Sequence, residues 1–220
     1  SQFRRENVRK ILGSDERVRI IPNALLLPNG GYHEEKDTDP ILVVSANRFI
    51  PHKRIPIIVR SFKEMNIPDS KLVLIGTGDQ KEIDAVRAAI AEAGLEARVS
   101  VTGKLTSEEV YEHFARASFY VSASLEEGFP NVFIEAMHFG LPIISTDVGG
   151  CKEMVVEGET GFLINPHDGR ALAEKMRILA GDRTLRNTLA KNAFARSKRY
   201  DLTEVVKEFT QLYKDLISRK

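Results

Sequence analysis

Short aliphatic or β-branched runs alternate with segments of helical period along nearly the whole chain, and this alternation constrains the fold more than any other feature. Val18-Arg19-Ile20-Ile21, stopped by Pro22, reads as a strand, and Ile41-Leu42-Val43-Val44 as a strand buried on both faces. Further strands are expected at 71–75, 99–102, 119–122, 142–145 and 162–164. A helix covering the second strand is marked by Pro56 near its start and by Ile57, Ile58, Phe62 and Met65. Residues 80–93 form another, with Ile83, Val86 and Ile90 on one stripe and Gly94 as its stop. Thr106 and Glu109 have the spacing of a capping box, and further helices are expected at 168–180, at 182–198 and from Asp201 onward. Strands alternating with helices predict an α/β fold: a Rossmann-like parallel sheet with helices on both faces.

Length sets the domain count. The 220 residues suit one sizeable α/β domain, read as residues 1–200. Residues 201–220 are read as a separate C-terminal helix whose Val205, Phe209, Leu212 and Leu216 make a narrow apolar seam that wants a partner surface. Thirty-two basic side chains oppose thirty-one acidic ones, so no global field draws the chain onto nucleic acid or an anionic membrane. Any anion must therefore be bound by a local site. Cys151 is the single cysteine, which excludes an internal disulfide and favours a reducing compartment. No apolar run approaches the length of a membrane span, and no signal-peptide pattern is present. A cytoplasmic protein is expected, with or without peripheral contact to the membrane face. The chain opens on Ser1 without a methionine, which fits a processed or excised segment.

Sheets of this kind bind ligands at the carboxyl ends of their strands, so the residues just beyond each strand matter most. The stretch from Ser122 to Met137 is the most informative. A strand ends at Ser122, a glycine-containing turn carries Glu127, and a helix starts near Pro130, placed at its first turn where a missing N–H costs nothing. That geometry aims free N–H groups and a positive dipole end at the mouth of the sheet, which suits a diphosphate. Glu127 precedes the helix and Glu135 lies one to two turns inside it, so the two carboxylates straddle the helix end and can accept hydrogen bonds from hydroxyl groups. Spacing alone equally allows a solvated turn glutamate and a helix-face glutamate. Arg48 and Lys53 stand beyond the second strand, where a planar fork and a point charge can neutralise phosphate, or where both can be solvated.

Glu127-Gly128-Phe129-Pro130-Asn131-Val132 through Glu135-Ala136-Met137, followed by Gly140-Leu141-Pro142 and Val148-Gly149-Gly150, resembles the paired-glutamate segment of family 4 glycosyltransferases, retaining enzymes of the GT-B fold. The resemblance covers almost the whole chain. Ile21-Pro22-Asn23 is similar to the family's lead-in segment, Arg48 to Lys53 to its basic pair, Leu72 to Gly78 to its strand-glycine turn, and Gly158 to Pro166 to its late turn before an aspartate. It implies a nucleotide-diphosphate sugar as donor, with Arg48 and Lys53 on the phosphates and Glu127 on the sugar hydroxyls. It further implies Glu135 on the ribose, backbone N–H groups of Gly128, Phe129, Asn131 and Val132 on diphosphate and sugar, and Gly103-Lys104 near the nucleobase. Glu127, Arg48 and Lys53 would be the catalytic set. No metal and no cofactor are implied. Two departures stand out: Arg54 replaces the glycine usual after the lysine, either crowding the loop or adding a third cation, and Ala24 replaces the glycine usual after Asn23.

A full GT-B enzyme has two Rossmann-like domains, and strands for one are present here. The expected function is therefore the donor-binding half of a retaining transferase that moves sugar from a UDP- or GDP-sugar to an acceptor hydroxyl on a sugar, a lipid-linked sugar or a small molecule. An amino-terminal domain is missing on this reading, and the last helix would pack against it. A hydrolysing sugar-nucleotide epimerase and a non-catalytic nucleotide-binding module are the alternatives. Asp37-Thr38-Asp39 has metal-site spacing but precedes a strand, and reads as a solvated loop. Gly76-Thr77-Gly78 lacks a third glycine and reads as a tight turn. His33, His52, His113, His138 and His167 show no metal-ligand spacing; His52 alone sits inside the basic loop. Cys151 is expected to be inert.

Overall fold

The structure, a computed structural model, describes residue 11, residues 19–34 and residues 40–218. Val18 and the Asp37–Asp39 pair thus lie outside the described residues.

Among them, six strands form one parallel sheet: β1 (Ile41–Ala46), β2 (Ser70–Ile75), β3 (Val99–Gly103), β4 (Phe119–Ser122), β5 (Ile143–Thr146) and β6 (Gly161–Ile164). Their order is β3-β2-β1-β4-β5-β6, the doubly wound Rossmann arrangement. The near-continuous apolar strands follow from burial on both sides. Val43, Leu72, Leu74, Phe119, Val121 and Ile144 enter one core, and their chain neighbours Val44, Val73, Ile75, Tyr120 and Ile143 enter the other.

Helices α1 (Ile55–Met65), α2 (Gln80–Ala93) and α6 (Gly169–Gly181) bury Ile58, Phe62, Val86, Ile90, Met176 and Leu179 in the first core. Helices α3 (Ser107–Arg116), α4 (Asn131–His138) and α5 (Cys151–Met154) bury Phe114, Phe133, Met137 and Met154 in the second. Helix α7 (Arg183–Ser197) follows, and α8 (Leu202–Ile217) closes the fold. The capping box forms as expected, with Thr106 N–H donating to Glu109 Oε2 at 2.7 Å and Glu109 N–H to Thr106 Oγ1 at 3.3 Å. Asp79, Asp168, Asp182 and Asp201 cap their helices with side-chain oxygens.

Two local expectations are corrected, and two short elements are new. Residues 19–22 form no strand; the lead-in segment instead makes a single bridge at Leu25, whose N–H donates to Tyr200 O at 3.1 Å and whose carbonyl accepts from Leu202 N–H at 3.0 Å. β-Branched residues favour a strand where a neighbouring strand accepts them, and Pro22 offers no N–H for a ladder. Pro130 is the N-cap of α4 rather than its first residue. Helix α5 and a 3-10 turn at Pro51–Lys53 were not foreseen, both being too short to show a period. No helix among the described residues is long and apolar enough to cross a membrane.

Candidate functional site

The chain leaves β1 toward β2 and leaves β4 toward β5, in opposite directions, so a crevice opens above the paired ends of β1 and β4. The loop 47–54 rises over this crevice. On the β2 side it is laced down by Asn47 N–H to Ile75 O at 2.9 Å and Phe49 N–H to Thr77 O at 2.8 Å. The approach is so close that a Cβ on Gly76 would stand 1.8 Å from Asn47 O, and one on Gly78 2.1 Å from Phe49 O. The Gly76-Thr77-Gly78 turn therefore serves backbone packing. On the β4 side Leu125 N–H donates to His52 O at 2.8 Å, and Arg54 Nε to Ala123 O at 2.7 Å.

The loop consequently stands between two cavities. One, of about 600 Å³, lies over β1, β2 and β3 and is lined by Asn47, Arg48, Gly76, Thr77, Asp79 and Lys104 among others. The second, of about 640 Å³, lies over β1, β4 and β5 and is lined by His52, Leu125, Glu126, Glu127, Gly128, Val148 and Gly149. Arg48, exposed, faces the first; Lys53 turns instead to the Glu127 carboxylate beside the second. The basic pair is thus divided across the crevice.

Glu127 is the best-supported side chain of the loop between β4 and α4. Lys53 Nζ contacts Glu127 Oε1, with the two side chains 15% and 9% exposed, and Ser124 Oγ donates to the same oxygen at 2.7 Å. Thr146 Oγ1 in turn donates to Ser124 O at 2.5 Å. Gly150 N–H donates to Glu127 O at 3.1 Å, and a Cβ on Gly149, whose φ is +48°, would stand 1.7 Å from that carbonyl oxygen. The turn therefore requires glycine behind it.

Helix α4 starts at Asn131 with its first-turn N–H groups and positive dipole end beside this loop. Asn23 Nδ2 reaches Asn131 Oδ1 at 3.0 Å, so the lead-in segment touches the same helix end. Phe129 packs edge-on against Tyr200, ring centroids 5.7 Å apart, which anchors the loop from behind while Gly128 stays exposed and Val132 is half-buried. Glu135, one turn into α4, accepts from Tyr111 OH at 3.2 Å. Burial holds the Glu135 carboxyl above its ordinary pKa, and burial first, with Glu135 second, pushes the Tyr111 phenol up to about 12.

Gly103 accepts from Gly76 N–H at 2.9 Å at the rim of the first cavity, next to Lys104. His138 is buried, with Nε2 3.0 Å from Pro28 O, and burial lowers its pKa. The buried Cys151 thiol is pushed up to about 12 by burial, consistent with an unreactive side chain. Among the described residues no three His, Cys, Asp or Glu side chains are grouped as metal ligands. Ser124, Tyr111 and the Asn23–Asn131 contact are the site features that sequence reasoning missed; Arg54 was singled out, but not its bonds to the Ala123 and Pro166 carbonyls. Ser124 could have been suspected from its place three residues before Glu127.

Residues 33–196 match the family described as glycosyl transferases group 1. An exopolysaccharide phosphotransferase of Streptomyces coelicolor is 31% identical over 209 residues, 93% of this chain and 21% of the relative. The N-acetylgalactosamine-N,N'-diacetylbacillosaminyl-diphospho-undecaprenol 4-alpha-N-acetylgalactosaminyltransferase of Campylobacter jejuni is 27% identical over 198 residues, 89% of this chain and 53% of the relative. The sucrose-phosphate synthase structure from Thermosynechococcus elongatus superposes with a TM-score of 0.83 at 26% identity, over 98% of this chain and 57% of that one. The chain spans between about a fifth and about half of the length of these curated relatives. The chain belongs to the glycosyl transferases group 1 family and has the Rossmann-like architecture of one half of a GT-B glycosyltransferase.

Proposed function

We propose that this chain is the donor-binding half of a retaining glycosyltransferase, taking a UDP- or GDP-sugar and passing the sugar to an acceptor hydroxyl. One observation carries the reading: at the switch point of the sheet, a cation, a carboxylate and a helix N-terminus converge between two cavities, as Lys53, Glu127 and the first turn of α4. The nucleoside occupies the cavity bearing Lys104, with Glu135 on the ribose. The diphosphate crosses the loop under Arg48 and Lys53, and the sugar enters the cavity bearing Glu127.

In the reaction the bond between the anomeric carbon and the diphosphate breaks as the acceptor hydroxyl attacks the same face through an oxocarbenium-like state, its proton passing to the departing phosphate oxygen. Negative charge accumulates on the departing diphosphate, where preorganised cations and helix N–H groups oppose it without reorganising. Lys53 is held ready by Glu127 and is free to turn part of its charge to phosphate. Glu127 keeps a second carboxylate oxygen for sugar hydroxyls. This chemistry asks for no metal. The acceptor is a sugar, lipid-linked sugar or small molecule presented by a second, amino-terminal domain, in line with the greater length of the relatives.

The test is product analysis. The chain is incubated with UDP- and GDP-sugars in chelator and in manganese, alone and joined to the amino-terminal domain of a longer relative. Nucleotide should bind in both media, and transfer should require the joined domain, because positioning two reactants supplies about 7–11 kcal/mol of a barrier. Transfer by the chain alone at roughly 1 per second or faster would contradict the division of labour. A free or epimerised sugar with no transfer in any combination would favour a hydrolysing epimerase.

A further inference from the structure

Arg54 directly follows Lys53 and has left-handed backbone, φ 51° and ψ 43°, a conformation that residues with a Cβ adopt rarely and at a cost. Something must hold it there. Its guanidinium reaches two carbonyl oxygens in different loops: Nε donates to Ala123 O at 2.7 Å, and Nη1 donates to Pro166 O at 2.7 Å. Ala123 opens the loop that carries Glu127, and Pro166 lies between β6 and α6. The side chain therefore ties together the loops that follow β1, β4 and β6. Two short charge-assisted bonds in fixed directions suit the planar fork of arginine, and a lysine ammonium cannot reproduce them. Burial of the guanidinium lowers its pKa, in keeping with a group turned inward.

We propose that Arg54 is a positioning residue of the donor site: by pinning the Ala123 and Pro166 carbonyls it fixes the backbone of Lys53 against the Glu127 loop, so that cation and carboxylate meet the donor in one geometry. Arg54 is then not a third phosphate-binding cation, because Nε and Nη1 hold its guanidinium to the Ala123 and Pro166 carbonyls. The inference rests on the reading that Lys53 binds the donor diphosphate.

Titration calorimetry with UDP, GDP and ADP as probes tests it on five proteins: the unaltered chain, Arg54→Gly, Arg54→Lys, Lys53→Ala and the Arg54→Gly/Lys53→Ala double variant, each with its thermal midpoint. Arg54→Gly should weaken diphosphate binding about tenfold, while its midpoint reports the loss of two charge-assisted bonds less the left-handed strain that glycine relieves. Arg54→Lys should be as weak as the glycine variant despite keeping its charge. In the Lys53→Ala background, Arg54→Gly should cause no further loss. The same loss in both backgrounds, or wild-type affinity in Arg54→Lys, would overturn the proposal by making Arg54 a direct phosphate contact or a general structural support. Should the glycine variant not fold, the lysine variant decides by the same comparison in both backgrounds. Unchanged binding in Lys53→Ala alone, or binding of none of the three probes, would instead refute the underlying assignment of Lys53 and this inference with it.

Discussion

Burial of Glu135 beside Tyr111 raises its carboxyl pKa above the ordinary 4.5, and the Tyr111 hydrogen bond offsets that only in part. A raised folded value means that the native state prefers the protonated form. Stability from this group is fully present below the unfolded pKa, and is lost as pH rises through the window between the two values. Glu135→Gln, which keeps an oxygen acceptor for Tyr111, should therefore be more stable than the parent at neutral pH. The advantage should vanish near about pH 3.5, where both side chains are neutral. Urea denaturation at the two pH values measures this; an advantage unchanged by pH would mean that the charge on Glu135 is not what folding opposes. A half-buried carboxylate kept against desolvation is what a binding site for hydroxyl groups would retain. Glu127, Glu135, Lys53 and Arg48 were all legible as candidates, since residue type and position beyond a strand are written in the chain. Their supports were not. Tyr111 meets Glu135 across 24 residues and Arg54 meets Ala123 across 69, separations at which no local pattern operates.

Elements divide between those that fold for their own reasons and those shaped by the site. Helix α3 is of the first kind, set by its Thr106–Glu109 box. Thr106→Ala should cost about 1 kcal/mol and leave nucleotide affinity untouched. The turn at Val148-Gly149-Gly150 is of the second kind. Gly149→Ala places a Cβ 1.7 Å from Glu127 O at a φ of +48°, so both the space and the backbone refuse it. It should cost more than about 1 kcal/mol and also weaken binding of nucleotide sugar, because the Glu127 loop must move. Denaturation and calorimetry on the two variants separate the kinds; intact affinity in Gly149→Ala would detach that turn from the site. The sheet was legible for the same physical reason that it is stable. Strands buried on both faces leave continuous apolar runs, and caps and glycine stops mark the helices between them. Of the strand expected at 18–21, residues 19–21 form none, because β-branched composition reports a preference that a missing neighbour leaves unexpressed.

On the scale of the whole molecule, α8 stands apart from the two cores. Val205, 2% exposed, anchors its first turn, whereas Val206, Phe209, Tyr213 and Leu216 are 51%, 44%, 63% and 52% exposed. Phe209→Ser with Leu216→Ser should change the stability of this chain by less than about 0.5 kcal/mol, and Val205→Ala should cost more; equal losses in denaturant would show that the outer seam is packed within the chain itself. The seam suits the helix proposed to rest on an amino-terminal domain. With a formal charge of +1 the molecule offers no general attraction for anions, so the proposed diphosphate binding has to come from a local site. The most direct measurement is the affinity of the chain for a nucleoside and for the matching nucleoside diphosphate, from the uridine, guanosine and adenosine series, before and after Lys53→Ala and Arg48→Ala. Each variant should lose about 1.5–3 kcal/mol of diphosphate binding and almost none of the nucleoside binding. Equal losses for nucleoside and diphosphate, or no preference of the unaltered chain for any diphosphate, would contradict a donor site at this loop.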